Sequence, residues 1–513
     1  MHRSPGDFLR TVPEIPSRRP SPRPLAGSKR ELPAPAIAWT EQHPEEVDLA
    51  IVGGGFSGLM ALVHLRRLLP EAAIALFERR RRAAPGVAYG ACGPDHLLNV
   101  PAGRMGALPG DPGGFHAWLE SSMPGRFGPA EFVPRSLYGR YLTELAAEAA
   151  VASPGRTWLV ADAIVHVERT ARVELFRAAG ASCVASSAIL APGIPAARAP
   201  WVTADRDVPR HLLAADPWDP RAMEGIESAA RVAIVGSGLT AVDVAIELRR
   251  RGFRGTIAMI SRNGRLPLPH APPTEPPAAL SPDDLAGSPR DLLRSLRRAA
   301  RRRIAAGLGW QATIDALRAA TPAIWSRWSA AQRGTFLRRL RPFWEIHRHR
   351  CPLTVLDRLE AERAAGTLAV ERGVIDSIEP RGESSLALSV RRPDGSRFGM
   401  IAGRLFNCVG PATAIADTID PLIGSLLRSG LARPDPIGIG LDTDPDGRLI
   451  GSDGSCDGRL LLAGALRRGT LWESTAVPEL RIQARRAAEI AAAEAIAARP
   501  GRLGSGAPRS AAP

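Results

Sequence analysis

Twice in this chain a short apolar run gives way to a glycine turn and then to an apolar helical pattern. The first instance runs Val47-Asp48-Leu49-Ala50-Ile51-Val52, then Gly53-Gly54-Gly55-Phe56-Ser57-Gly58, then Leu59 to Leu69. The second runs Val232 to Val235, then Gly236-Ser237-Gly238-Leu239-Thr240-Ala241, continuing to Arg250. A further apolar run follows each, at 73–77 and at 256–260. Unbroken apolar runs of this length suit strands buried on both faces of a parallel sheet. The expected fold class is therefore α/β with two Rossmann-like dinucleotide-binding domains.

The spacing of the glycines carries the chemistry. Gly53 permits the tight turn, Gly55 lets backbone approach a pyrophosphate, and Gly58 allows close helix–strand packing. The helix N-terminus that follows favours phosphate charge. Glu78 ends the next strand 25 residues after Gly53, where a carboxylate can accept from ribose hydroxyls. In the second unit Gly236 and Gly238 hold the matching positions. The place of Glu78 is taken by Ser261, followed by Arg262. A hydroxyl and a guanidinium suit a 2′-phosphate, which a carboxylate would repel. The first unit thus reads as an FAD site and the second as an NADPH site, with NADH as the lesser donor. Two dinucleotide units on one chain imply hydride transfer from a nicotinamide to a tightly held flavin.

Residues 1–45 are rich in Pro, Arg and Ser and read as a disordered tail, as do residues 499–513. The FAD domain is expected over 46–215 and again over 376–498. An NADP domain over 216–375 interrupts it and contains a helical Arg/Trp-rich insertion at 276–350. Short β-rich segments at 158–190 form a meander, and 265–290 is a Pro-rich loop. A long Ala-rich helix follows Pro478. The five cysteines include no C-x-x-C, so neither a dithiol redox pair nor a structural zinc site is indicated, no metal is expected, and a reducing cytoplasm is the natural compartment. No run approaches the ~20 apolar residues that span a bilayer.

These residues resemble those of the two-dinucleotide-domain flavoproteins, which are glutathione-reductase-like in fold. Within them the chain looks like a bacterial family of FAD/NAD(P)-binding oxidoreductases related to flavin monooxygenases and amine N-hydroxylases. The resemblance spans roughly 47–498. Besides the glycine turns it rests on Gly86-Val87-Ala88-Tyr89-Gly90, His96-Leu97-Leu98-Asn99-Val100-Pro101, Trp344-Glu345-Ile346-His347-Arg348-His349-Arg350, Asn407-Cys408-Val409-Gly410-Pro411 and 468–481. It implies that Asn99, and Leu471 to Pro478 with Trp472 and Thr475, lie near the flavin, and that Gly410 belongs to a cofactor loop. A Baeyer–Villiger fingerprint is missing: its region holds only His211 and Trp218, too far apart. No catalytic side chain is assigned from sequence. The function implied is FAD-dependent oxidation of NADPH with O2 as co-substrate, oxygenating a small metabolite such as an amine. A reductase or oxidase without oxygenation is the alternative, and a nucleotide-sensing flavoprotein is the non-enzymatic one.

The formal net charge is +15, and Lys29 is the sole lysine among 67 basic residues. Fifteen arginines between 290 and 350 face only Asp291, Asp315 and Glu345, so most of the excess sits in the insertion. Leu292, Leu293, Leu296, Ala300 and Ile304 fall on helical spacing, giving a basic amphipathic helix. Three roles fit it: a solvated cap, a funnel for anionic substrate or NADPH, or membrane-surface contact through 290–306. Charge without a nucleic-acid motif does not support nucleic-acid binding. Oligomeric state is left open.

Overall fold

The computed structural model describes residues 39–40, 44–80, 85–90, 92–195, 208–209, 211–226, 230–271, 275–410, 414–473 and 475–498. The two expected disordered tails fall almost wholly outside the described residues. At the end of the first, Thr40 N donates to Leu159 O and Ala161 N to Thr40 O, both within 3.0 Å.

The first sheet is built from β1 (Glu46–Val52), β2 (Ile74–Phe77), β3 (Thr157–Val160), β4 (Ile164–Arg169), β5 (Val173–Arg177) and β6 (Ser182–Leu190), in the order β3-β2-β1-β6-β5-β4. β3, β2, β1 and β6 run parallel, while β4, β5 and the start of β6 form the antiparallel meander. Both faces of β1 are covered, which is why its sequence is apolar without alternation. Leu49 and Ile51 face one core with the helices Phe56–Leu68, Arg135–Val151 and Val477–Ala497. Ala50 and Val52 face the other. Burying a leucine or isoleucine fully stabilises by about 1.5–3 kcal/mol, so this double layer fixes the strand in place.

The second sheet contains β7 (Leu213–Ala214), β8 (Arg231–Val235), β9 (Thr256–Ser261) and β10 (Leu368–Arg372). A three-stranded antiparallel sheet follows: β11 (Val374–Arg381), β12 (Ser385–Arg391) and β13 (Arg397–Ala402). The chain then returns as β14 (Arg404–Asn407), parallel to β8 on the side away from β9, so the second sheet reads β10-β9-β8-β14-β7. This extends the second unit beyond residue 375. β14 lies within the expected 376–498 segment and β7 within 46–215, yet both hydrogen-bond into the second sheet. Leu405 and Phe406 are fully buried there, between β8 and β7. Finally β15 (Leu460–Leu462) returns to the first sheet beside the end of β6.

The insertion folds as the helices Pro289–Ala305, Gln311–Arg318, Thr321–Arg327, Ala330–Thr335 and Arg341–Arg348. Its first helix starts at a capping box, Ser288 with Asp291, and Pro289 occupies the first turn. Leu292, Leu317, Trp325, Trp328, Phe336 and Trp344 form its core together with Ile439 and Trp472 from outside it. Among the described residues no helix is long and apolar enough to cross a membrane.

Candidate functional site

The two glycine turns are built alike, atom for atom. Gly53 N donates to Phe77 O and Ala191 N to Val52 O, at 2.8 and 2.7 Å; Gly236 N donates to Ile260 O and Cys408 N to Val235 O, both at 2.8 Å. Gly53 has φ +104° and Gly236 +114°. A Cβ at either would sit 2.2 Å from a backbone oxygen, that of Ala191 or Cys408. Positive φ and contact with a carbonyl together leave room only for glycine. At the third position of the first turn, a Cβ on Gly58 would lie 1.8 Å from Gly53 O, while Ala241 fits the second turn fully buried. The helices that follow begin at Gly55 and Gly238, and neither has a side-chain cap. The first N–H groups thus have no side-chain cap, and the helix dipole favours an anion there.

Glu78 is buried at the end of β2. Its Oε2 accepts from Gly54 N at 2.7 Å and its Oε1 from Arg80 N at 2.8 Å. A carboxylate has about four lone-pair sites, so acceptor capacity remains for ribose hydroxyls. The second turn replaces this charge with a hydroxyl chain: Ser237 Oγ donates to the Arg265 carbonyl at 2.5 Å and lies 2.8 Å from Ser261 Oγ, which accepts from Gly264 N at 3.0 Å. Arg262 is exposed beside it. Arg372 also reaches this corner, because β10 pairs Arg372 with Ser261. Arg262 and Arg372 are thus two exposed arginines at this strand end. Arg372 was not picked out by sequence reasoning, because only the pairing of β10 with β9 brings it there.

The structure brings Gly53, Gly55, Gly58 and Glu78 to one turn, and Gly236, Gly238, Ser261, Arg262 and Gly410 to the other. Gly410 is exposed, two residues beyond the Cys408 carbonyl that supports Gly236. Asn99 belongs to neither turn. It lines a narrow cleft between the units with Arg135, Val242, Asp243 and Cys351. Thr475 is exposed, and Trp472 is packed against the insertion, its ring 4.8 Å from that of Trp325 and nearly parallel to it. Two further residues close on the first turn. A Cβ on Gly86 would come within 2.9 Å of Gly55 Cα, and Gly464, after β15, approaches Ser57 and donates its N–H to Gln483 in the C-terminal helix at 3.1 Å. The Gly86 segment had a sequence signal in its glycine pair; Gln483, in an Ala-rich helix, had none.

The cleft between the units is held by buried charge. Arg135 NH1 donates to Asp243 Oδ2 at 2.7 Å and Arg135 Nε to Leu97 O at 2.9 Å, while His96 Nε2 lies 3.1 Å from Asp243 O. Burial pushes the Asp243 carboxyl above its ordinary range, and the Arg135 guanidinium pulls it back. Burial likewise lowers His96.

A lack of side chains at Gly55 and Gly86, uncapped helix starts and a buried carboxylate at the strand end together fit an adenine dinucleotide. Residues 50–195 match the model of a family described as FAD-NAD(P)-binding. The chain carries an FAD-NAD(P)-binding domain. No curated protein sequence matches the chain. Around that domain the whole fold is similar to solved two-dinucleotide-domain flavoproteins. An ornithine hydroxylase from Pseudomonas aeruginosa aligns at 14% identity and TM-score 0.59, covering 87% of this chain and 99% of that one. An ornithine N-hydroxylase from Kutzneria sp. 744 aligns at 16% identity and TM-score 0.58, with coverages of 87% and 99%. A cadaverine monooxygenase from Erwinia amylovora, solved with FAD, aligns at 12% and 0.57, with coverages of 91% and 99%. At such identities the likeness is one of fold.

Proposed function

We propose that this chain is an FAD-dependent NADPH oxidoreductase that uses O2 to oxygenate a small, amine-bearing metabolite. The observation that carries the reading is the pair of glycine turns, alike in backbone and opposite in what stands at the strand end. Glu78 at the first suits the bare ribose of FAD, and Ser261 with Arg262 and Arg372 at the second suits the 2′-phosphate of NADPH. The FAD domain is assigned to the first sheet and its helices, and the NADP domain to the second sheet with the insertion as its cap. FAD, when bound, supplies the redox chemistry; the protein supplies binding, orientation and exclusion of water. Asn99 in the cleft and the loop 471–478 are assigned to the flavin surroundings. The ornithine hydroxylase, ornithine N-hydroxylase and cadaverine monooxygenase of similar fold support an amine-bearing molecule as the one oxygenated.

Anaerobic mixing of the purified yellow protein with NADPH tests this. Bleaching of the flavin absorbance is expected, and its absence overturns the catalytic reading in favour of a nucleotide-sensing flavoprotein. Admitting O2 with candidate amines then separates oxygenation, seen as hydroxylated product, from oxidase activity, seen as peroxide alone.

A further inference from the structure

Seven arginines stand on the first helix of the insertion, Pro289–Ala305, and the fold sorts them by side. Arg303 turns inward. Its Nε donates to Gly309 O and its NH2 to Pro276 O, both at 2.9 Å, and the Glu275 carboxylate lies 3.4 Å away. It shares the buried side of the helix with Leu292 and Ala299. Arg290, Arg294, Arg297 and Arg301 follow one another at spacings of four, three and four residues, and Ile304 comes three later, so they form one row along the helix. The row lies on the side opposite Leu292, which belongs to the core of the insertion. Arg290, Arg294 and Arg301 are exposed, Arg297 is half-buried, and Ile304 is 49% exposed. From Arg290 to Ile304 the row is about 21 Å long. Arg298 and Arg302, both exposed, widen it on one edge, and the half-buried Leu293 lines the other.

The charge of this side is only partly neutralised within the chain. Acids stand at the helix start. Asp291 lies 3.2 Å from Arg294, and hydrogen bonds from Ser288, then the charges of Arg294 and Arg290, hold its carboxyl below the ordinary range. Hydrogen bonds from Ser281 do the same for Asp284, with Arg302 and Arg298 adding to the effect. Asp283 is exposed beside it. From 292 to 305 the sequence holds no acid at all. The guanidiniums of Arg290, Arg297, Arg298 and Arg302 make no hydrogen bond or ion pair with another described residue. Charge on the side turned away from the insertion core does not line a route beneath the insertion, so a funnel for substrate or NADPH is not its use. What covers the row must be negative over about 21 Å and must also meet an apolar side chain at one end. A bilayer surface rich in anionic phospholipid presents both, phosphates outside and acyl chains beneath; a soluble polyanion presents the first alone.

We propose that the outward side of Pro289–Ala305 docks the protein on an anionic phospholipid surface. The helix lies flat, with its arginines at the phosphates and Ile304 at the edge of the acyl layer. The proposal does not rest on the oxidoreductase reading. Sedimentation of the FAD-loaded full chain with lipid vesicles tests it. Binding is expected to phosphatidylcholine vesicles containing one-third phosphatidylglycerol, not to phosphatidylcholine alone, and it should fall as salt is added. Each arginine close to such a surface is worth about fivefold in affinity, so Arg290→Gln/Arg297→Gln should weaken binding about 25-fold. Arg381→Gln/Arg428→Gln removes the same charge from exposed positions on other elements and should change binding less than about twofold. Ile304→Ser should weaken vesicle binding several-fold and leave retention on heparin unchanged, because only the bilayer offers an apolar layer. No sedimentation with the anionic vesicles, equal sedimentation with the neutral ones, or an equal loss in the two double variants overturns the proposal. Full vesicle binding by Ile304→Ser, with heparin retention that depends on Arg290 and Arg297, assigns the row to a soluble polyanion and overturns it too.

Discussion

Removing Arg135 should expose how the two dinucleotide units are held together. Its guanidinium sits 2.7 Å from Asp243, with side-chain exposures of 14% and 9%, in a cleft that also contains His96 and Glu247. Breaking one side of such a buried pair costs about 3–5 kcal/mol, because the other charge stays buried without compensation. Arg135→Met should therefore lower the unfolding free energy by about that amount. The loss should also depend on pH. Asp243 already has a raised folded-state pKa from burial, and Arg135 is the largest influence lowering it. Without Arg135 the pKa rises further, so the folded state holds its proton more tightly than the unfolded chain does. Stability contributed by such a group is present below the unfolded carboxylate pKa of about 3.9 and is lost as pH rises toward the folded value. The deficit of Arg135→Met relative to the parent should thus be smaller near about pH 4.5 than near about pH 7.5. Arg135→Met/Asp243→Leu removes both charges and should recover most of the loss, to within about 1.5 kcal/mol of the parent. Urea unfolding followed by circular dichroism at both pH values measures all three quantities. A deficit equal at the two pH values, or a double variant as weak as Arg135→Met, would refute the reasoning.

Other substitutions test the turns. Gly53→Ala and Gly236→Ala each force a methyl to 2.2 Å from a carbonyl oxygen at positive φ, so each should abolish soluble holoprotein or empty its own nucleotide site; normal retention of flavin by Gly53→Ala would contradict the geometry. Arg262→Ala should weaken NADPH by about tenfold while sparing NADH, as befits one charge-assisted contact at an exposed site, and Arg372→Ala should add to that loss; parallel loss of both nucleotides, measured by titration, would remove the 2′-phosphate assignment. Glu78→Gln should keep the Gly54 hydrogen bond through its amide oxygen and hold flavin better than Glu78→Ala, which fluorescence of released FAD would show.

Much of the first-order architecture was legible because it is local. Gly53, Gly55 and Gly58 lie within six residues, and the strand before them carries its burial on both faces in its own sequence. The helix after Pro478 follows from alanine content in the same way, and of the Pro-rich loop expected at 265–290 the described stretches 265–271 and 275–282 carry neither helix nor strand, while a helix begins at Pro289. What escaped is the pairing of distant segments. Arg135 and Asp243 are separated by 108 positions, and neither carries a pattern that announces the other. β14 falls in the segment expected for the first unit because a four-residue strand, Arg404-Leu405-Phe406-Asn407, has no label for the sheet it joins. Trp472 sits in a segment the resemblance places near the flavin, yet its ring is spent on Trp325 and Phe336. The amphipathic helix at 289–305 is basic on one side, and its apolar side is only partly committed to the core of the insertion: Leu292 and Leu296 pack there, while Ile304 is 49% exposed.

Four of the ten tryptophans, Trp325, Trp328, Trp344 and Trp472, are gathered in that core, and the two that stack bridge the insertion and the C-terminal loop. Indoles held this close and this rigidly couple their electronic transitions, so the near-ultraviolet dichroism of the protein should be dominated by one pair. The seam between cap and loop thereby carries its own optical label, readable in the unmodified chain without attaching a dye.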